Sequence, residues 1–133
     1  MVFADTVYFV ALTVRRDGLY PIAQRASTLL GSRKVVTLDA VLVEYLAHVS
    51  ALGADLRRSA VDTVRELLVD PQLIVVRQDA ALFDRALELY ASRPDKQYSP
   101  TDCMGMLMCR DHNITDVLTH DRHYAQEGFT VLL

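Results

Sequence analysis

Five short runs, rich in apolar and β-branched residues and separated by stretches of helical periodicity, constrain this chain most. They are Val2–Ala4, Lys34–Thr37, Leu73–Val76, the run from Val117, and Phe129–Leu132. Continuous apolar runs, unlike alternating ones, belong to strands covered on both faces. Intervening helices supply the crossovers that parallel pairing needs. The fold expected is α/β: a three-layer α/β/α sandwich with a central parallel sheet.

The punctuation between the runs agrees. Asp5-Thr6 can cap a helix beginning near Val7. Pro21 opens a second helix that stops before Gly31, the usual Pro-first, Gly-last asymmetry. Asp39 caps a third helix through about Ala51, with Leu42, Tyr45, Leu46 and Val49 at helical spacing and Glu44 on the flank of that stripe. A fourth runs from about Ala54 to Leu68 and is stopped by Pro71. A fifth opens at Asp79 and reaches about Ala91, with Leu82, Ala86, Leu89 and Tyr90 on one face. After a polar loop over 92–98, Ser99-Pro100-Thr101-Asp102 reads as a capping box with proline at the first helical position, followed by the apolar run Cys103 to Cys109. A short helical turn is expected near His123.

A chain of 133 residues is expected to form one domain over 1–133, with no repeat or linker visible. No apolar run reaches the length of a membrane span, and the first ten residues carry an acid and no basic leader; a soluble cytoplasmic protein with no membrane partner is expected. Cys103 and Cys109, about 9 Å apart along a helix, are too far for a disulfide and read as reduced core residues. The formal charge of −3 gives no global attraction to nucleic acid and excludes a large nonspecific clamp.

The acids are the informative residues. Asp5 ends the first strand, Glu44 lies on the helix after the second, Asp102 opens a late helix, and Asp121 follows the fourth strand in Thr119-His120-Asp121. In a parallel sheet these positions share one edge. Four carboxylates held together repel unless cations neutralise them, and oxygen-only ligands suit Mg²⁺ or Mn²⁺. No zinc-type Cys–His spacing is present. Asp102, in the first turn of its helix, is expected to have its pKa lowered by the macrodipole. Taken singly, each acid has an ordinary alternative as a cap or turn former.

With these residues in place, the chain resembles the PIN domain family, and within it the VapC-type toxins of toxin–antitoxin pairs. The resemblance is carried by an apolar strand ending in Asp5-Thr6, by Leu42-Val43-Glu44, by Tyr98-Ser99-Pro100-Thr101-Asp102-Cys103, and by Leu118-Thr119-His120-Asp121-Arg122-His123-Tyr124 before Gly128-Phe129. It implies a sheet with the first strand central, a homodimer, one or two Mg²⁺ or Mn²⁺ ions, endoribonuclease activity on RNA, and an antitoxin that blocks the site. Asp5, Glu44, Asp102 and Asp121 match the family's acidic quartet. Asp5, Asp102 and Asp121 are expected as metal ligands, with Glu44 orienting the attacking water or completing a second metal position; Thr6 and Thr119 match its supporting hydroxyls. Val7 departs from the pattern, standing where a small polar residue is frequent, which touches a supporting hydrogen bond and not the ligands.

Other residues are given ordinary roles. Asp95 and Asp116 read as loop and turn residues, His48 as an exposed helix position, His120 and His123 as loop packing, and Met104 to Met108 as core filling. Arg15, Arg16, Arg33, Lys34, Arg57 and Arg58 are dispersed and receive no role. Two other classes compete. A receiver-type phosphoacceptor domain would need paired acids after the first strand and a lysine after a late one, and neither is present. A non-catalytic interaction module would not retain metal binding.

Overall fold

The computed structural model describes residues 1–133, and its centre is a five-stranded sheet, every strand parallel to its neighbours. The strands are β1 (Val2–Ala4), β2 (Val35–Leu38), β3 (Leu73–Val76), β4 (Asp116–Leu118) and β5 (Thr130–Val131), in the spatial order β3-β2-β1-β4-β5. Register is set by pairs such as Val2 with Val35 and Phe3 with Val117. The buried Thr37 hydroxyl donates to the Ala4 carbonyl at 2.8 Å, tying the first two strands together near their carboxyl ends.

Seven helices connect the strands: α1 (Thr6–Thr13), α2 (Tyr20–Leu30), α3 (Asp39–Val49), α4 (Ala54–Val69), α5 (Ala80–Ala91), α6 (Pro100–Asp111) and α7 (Arg122–Gln126). Their ends follow the local signals. Gly31 leaves α2 at φ 56°, a left-handed conformation that costs a residue without a β-carbon little. Asp79 accepts from the Leu82 amide to open α5, and Ser99 and Asp102 exchange side-chain and backbone hydrogen bonds in a complete capping box at α6. None of these helices is long and apolar enough to cross a membrane.

The core is one cluster of 29 buried residues, with Val2, Phe3 and Ala4 of the central strand wholly enclosed. Helix α6 is buried around most of its circumference, which its Met- and Cys-rich run allows because flexible, soft side chains fill irregular space between sheet and α5. Both cysteines are free and buried. Arg85 on α5 donates to both carboxylate oxygens of Asp111 at 2.7 and 2.9 Å, pinning the far end of α6. One expectation fails: Tyr90 is 52% exposed, while Leu82, Ala86 and Leu89 are buried. A helix stripe that wide exceeds the face α6 can cover, so the outermost residue turns to solvent.

Candidate active site

Strand order reverses direction at β1. The chain moves from β1 outward to β2 and β3, then returns to place β4 and β5 on the other side. In open parallel sheets the crevice beyond the carboxyl ends at such a switch point is where ligands bind, because the flanking connections leave in opposite directions. Asp5 follows β1 and Asp121 follows β4, so the first and last of the expected acids flank this crevice. Asp102 enters it from the start of α6, and Glu44 from the second turn of α3.

Each acid is held differently. Asp102 Oδ2 accepts from the Ser99 amide at 2.9 Å, completing the cap. Asp121 Oδ1 accepts from the His123 amide at 2.9 Å, which starts α7. Asp5 occupies the N-cap position of α1, yet its side chain makes no capping hydrogen bond. It turns inward: Oδ2 accepts from the Thr119 hydroxyl at 3.0 Å, while Oδ1 is buried with no partner. The Thr119 hydroxyl in turn accepts from the Asp121 amide at 3.0 Å, so one buried threonine joins the two strand ends. Thr6 donates to Glu44 Oε2, linking the start of α1 to α3. The two threonines therefore stand beside the acids, Thr119 on Asp5 and Thr6 on Glu44.

His123 joins this group, contrary to the expectation of loop packing. Its Nδ1 lies 3.3 Å from Asp102 Oδ2 and 3.1 Å from Asp121 Oδ2, and the three residues offer ligand atoms within 4.8 Å of one another. The His123 ring packs on Tyr98 with centroids 5.2 Å apart, and the Tyr98 hydroxyl donates to Glu127 at 3.2 Å. Burial pushes the Glu127 carboxyl up, but hydrogen bonds from Arg93, Arg110 and Tyr98 outweigh it and hold the group below its ordinary range. The sequence signal for His123 was its spacing two residues after Asp121. Its direction, however, depends on Tyr98, twenty-five residues earlier. His120 sits apart, with Nδ1 3.3 Å from the Leu133 carbonyl, and His48 is exposed.

Electrostatics distinguish the acids further. Burial, followed by the Asp102 charge, pushes the Asp5 carboxyl up to about 7; the Thr6 amide and Thr119 hydroxyl only partly oppose this. Asp102 is also raised, by burial first and by Asp121, against the hydrogen bonds from Ser99 and His123. The expected lowering by the helix dipole is therefore overturned: desolvation of a mostly enclosed carboxyl exceeds what one helix end contributes. No lysine or arginine pairs with Asp5, Glu44, Asp102 or Asp121; His123 is the sole basic side chain against them. The apolar cleft of about 310 Å³ bordered by Tyr8, Phe9, Leu12, Leu30 and Leu67 contains none of the four acids.

Carboxylates that no lysine or arginine neutralises, with His123 beside two of them and one buried oxygen without a hydrogen-bond partner, form a donor set fit for a divalent cation. The closely spaced ligand atoms are those of Asp102, Asp121 and His123, and Asp5 is not among them.

VapC20 of Mycobacterium tuberculosis, described as a sarcin-ricin-loop-cleaving toxin, superposes with a TM-score of 0.89 at 22% identity, covering 98% of this chain and 97% of its own. VapBC2 of Rickettsia felis, solved bound to a promoter DNA fragment, gives 0.68 at 14% identity, with 98% and 97% coverage. FitAcB of Neisseria gonorrhoeae gives 0.65 at 18% identity, with 100% and 97% coverage. These likenesses are of fold. No curated protein matches significantly by sequence. The sequence profile of the PIN domain matches residues 2–129, nearly the whole chain, and the protein accordingly belongs to the PIN domain family.

Proposed function

We propose that this protein is a metal-dependent endoribonuclease and the toxin of a toxin–antitoxin pair, a single cytoplasmic domain over 1–133. The observation that carries the reading is the meeting of Asp102, Asp121 and His123 at the switch-point crevice, beside a buried Asp5 whose Oδ1 has no donor. That many acids facing one another without lysine or arginine is unfavourable for a merely structural cluster. Membership of the PIN family, together with the shared fold of VapC20, supports RNA as the substrate class.

Asp5, Asp102 and Asp121 would hold Mg²⁺ or Mn²⁺. An ion bound there supplies Lewis acidity, lowering the pKa of a water and offsetting charge on the phosphodiester. The chain's own residues do the positioning. Ser99 keeps the Asp102 carboxylate directed at the crevice, Thr119 holds Asp5 and the start of the Asp121 turn, and His123 keeps Asp102 and Asp121 together. Glu44, anchored by Thr6, orients the attacking water.

The antitoxin partner is supported by the VapBC2 and FitAcB folds. A homodimer is supported by α5, where Phe83, Leu87 and Tyr90 lie at i, i+4 and i+7 and are 43, 45 and 52% exposed. The deciding experiment incubates purified protein with total RNA and Mn²⁺, with EDTA and Asp102→Asn as controls. Cleavage that EDTA and the substitution both abolish is expected; cleavage that survives either one refutes the assignment. Growth arrest on expression, relieved by co-expressing the adjacent reading frame, is the expected result for a toxin.

A further inference from the structure

Two buried side-chain polar atoms lack a hydrogen-bond partner, Asp5 Oδ1 and the Tyr124 hydroxyl. Phe3 and Asp5 are two residues apart along the central strand and its exit, so their side chains leave the same face. The Tyr124 ring rests on Phe3 with centroids 6.0 Å apart and on Phe129 at 5.9 Å. Its hydroxyl reaches the backbone of α6 at Gly105, where a β-carbon would collide with it. Asp102 lies three residues earlier on that helix, on nearly the same face. Among charged groups, Asp5 acts most strongly on the hydroxyl.

A buried hydroxyl with no partner costs about 1–3 kcal/mol, and phenylalanine would fill the same space without that cost. Glycine in a helix interior costs about a further 1 kcal/mol relative to alanine. Both costs are met at one spot under the acids, and the hydroxyl can donate where Asp5 Oδ1 can accept. We propose that Tyr124 is a positioning residue for Asp5: one enclosed water accepts from its hydroxyl and donates to Oδ1, two atoms that no group of the chain satisfies, opposite the hydrogen bond from Thr119 to Oδ2. Asp5 is thereby held from both oxygens, and its orientation toward the crevice is set from beneath. The water bridge itself is independent of the nuclease reading; its consequence for metal binding rests on that reading.

The test is Tyr124→Phe, which removes one oxygen and keeps the ring. Two readouts are needed: Mn²⁺ affinity by calorimetry without RNA, and the carboxyl ¹³C resonance of Asp5 in metal-free protein at fixed pH. Loss of a bond that orients a ligand typically lowers metal affinity by about 10–100-fold. We expect a loss of that order, a displaced Asp5 resonance, a melting temperature that does not fall, and no further loss when Tyr124→Phe is added to Asp5→Asn. An Asp5 resonance that stays in place overturns the proposal, as does a loss of affinity matched by a loss of thermal stability. If the wild type binds no Mn²⁺ yet Tyr124→Phe moves the Asp5 resonance, the water bridge stands and the nuclease reading fails. Gly105→Ala, which displaces the hydroxyl without removing it, is expected to move the same resonance.

Discussion

Asp5 and Asp102 occupy nearly the same place in the local grammar of a helix, one at the N-cap of α1 and the other in the first turn of α6, and they are used in opposite ways. Asp102 spends one oxygen on the Ser99 amide and closes a capping box. Asp5 caps nothing; it faces the interior, takes one hydrogen bond from Thr119, and carries a pKa raised to about 7 by burial and by Asp102. Identical side chains at equivalent ends of helices thus differ because of what surrounds them. A cap is satisfied by its own neighbours in sequence. The inward acid is left with one oxygen that nothing on the chain satisfies.

That contrast can be broken in measurable ways. The largest effect expected is on cleavage: Asp5→Asn and Asp102→Asn each reduce RNA hydrolysis to the buffer background, assayed on a labelled RNA. They differ in stability. Asp102→Asn retains an acceptor for the Ser99 amide and leaves melting nearly unchanged, whereas Asp5→Asn relieves a buried charge.

The pH dependence comes next. Asp5 has a folded pKa near 7 against about 3.8 in an unfolded chain, so between those values the folded state binds more protons. Stability of the metal-free protein is fully present below about pH 4 and falls as pH rises toward 7. The loss is up to about 4 kcal/mol by pH 8, on the scale of 1.36 kcal/mol per unit. Urea unfolding from pH 4 to 8 is expected to show this slope and to lose most of it in Asp5→Asn. Metal affinity runs the other way, strengthening as pH rises through 7 because the ion displaces the proton.

Smaller effects probe the supports. Gly105→Ala sets a methyl group against the Tyr124 hydroxyl and 3.0 Å from the Phe3 ring, and overpacking of this kind costs about 1–3 kcal/mol, read as a lower urea midpoint. Ser99→Ala removes half of the capping box and costs about 1 kcal/mol, with α6 fraying visible by amide exchange at Cys103. Equal melting of Ser99→Ala and wild type would show that burial, and not the cap, holds Asp102.

Much of this arrangement is legible in the chain because it is local. Capping signals, Pro21, Gly31 and the apolar runs mark where helices and strands change over, and Asp5, Asp102 and Asp121 lie at such junctions while Glu44 lies in the middle of α3. What is illegible depends on residues distant in sequence. His123 reads as loop packing until Tyr98 and Glu127 turn its ring toward Asp102 and Asp121. Asp102 looks like a carboxyl made more acidic by its helix, and its burial reverses that direction. Tyr90 looks like core and is left outside by the limited width of the α5–α6 contact.

The order of apolar runs and helices determined by itself a parallel sheet, with Asp5 and Asp121 following its strands and Asp102 opening a helix, since strand burial and helix capping are settled by neighbours a few residues away. Only the tertiary structure decided how far each carboxyl is withdrawn from water and which donors reach it. Hydrogen bonding at the crevice is set by Thr119 and His123, which reach Asp5 and Asp102 only after the chain has folded back across β1.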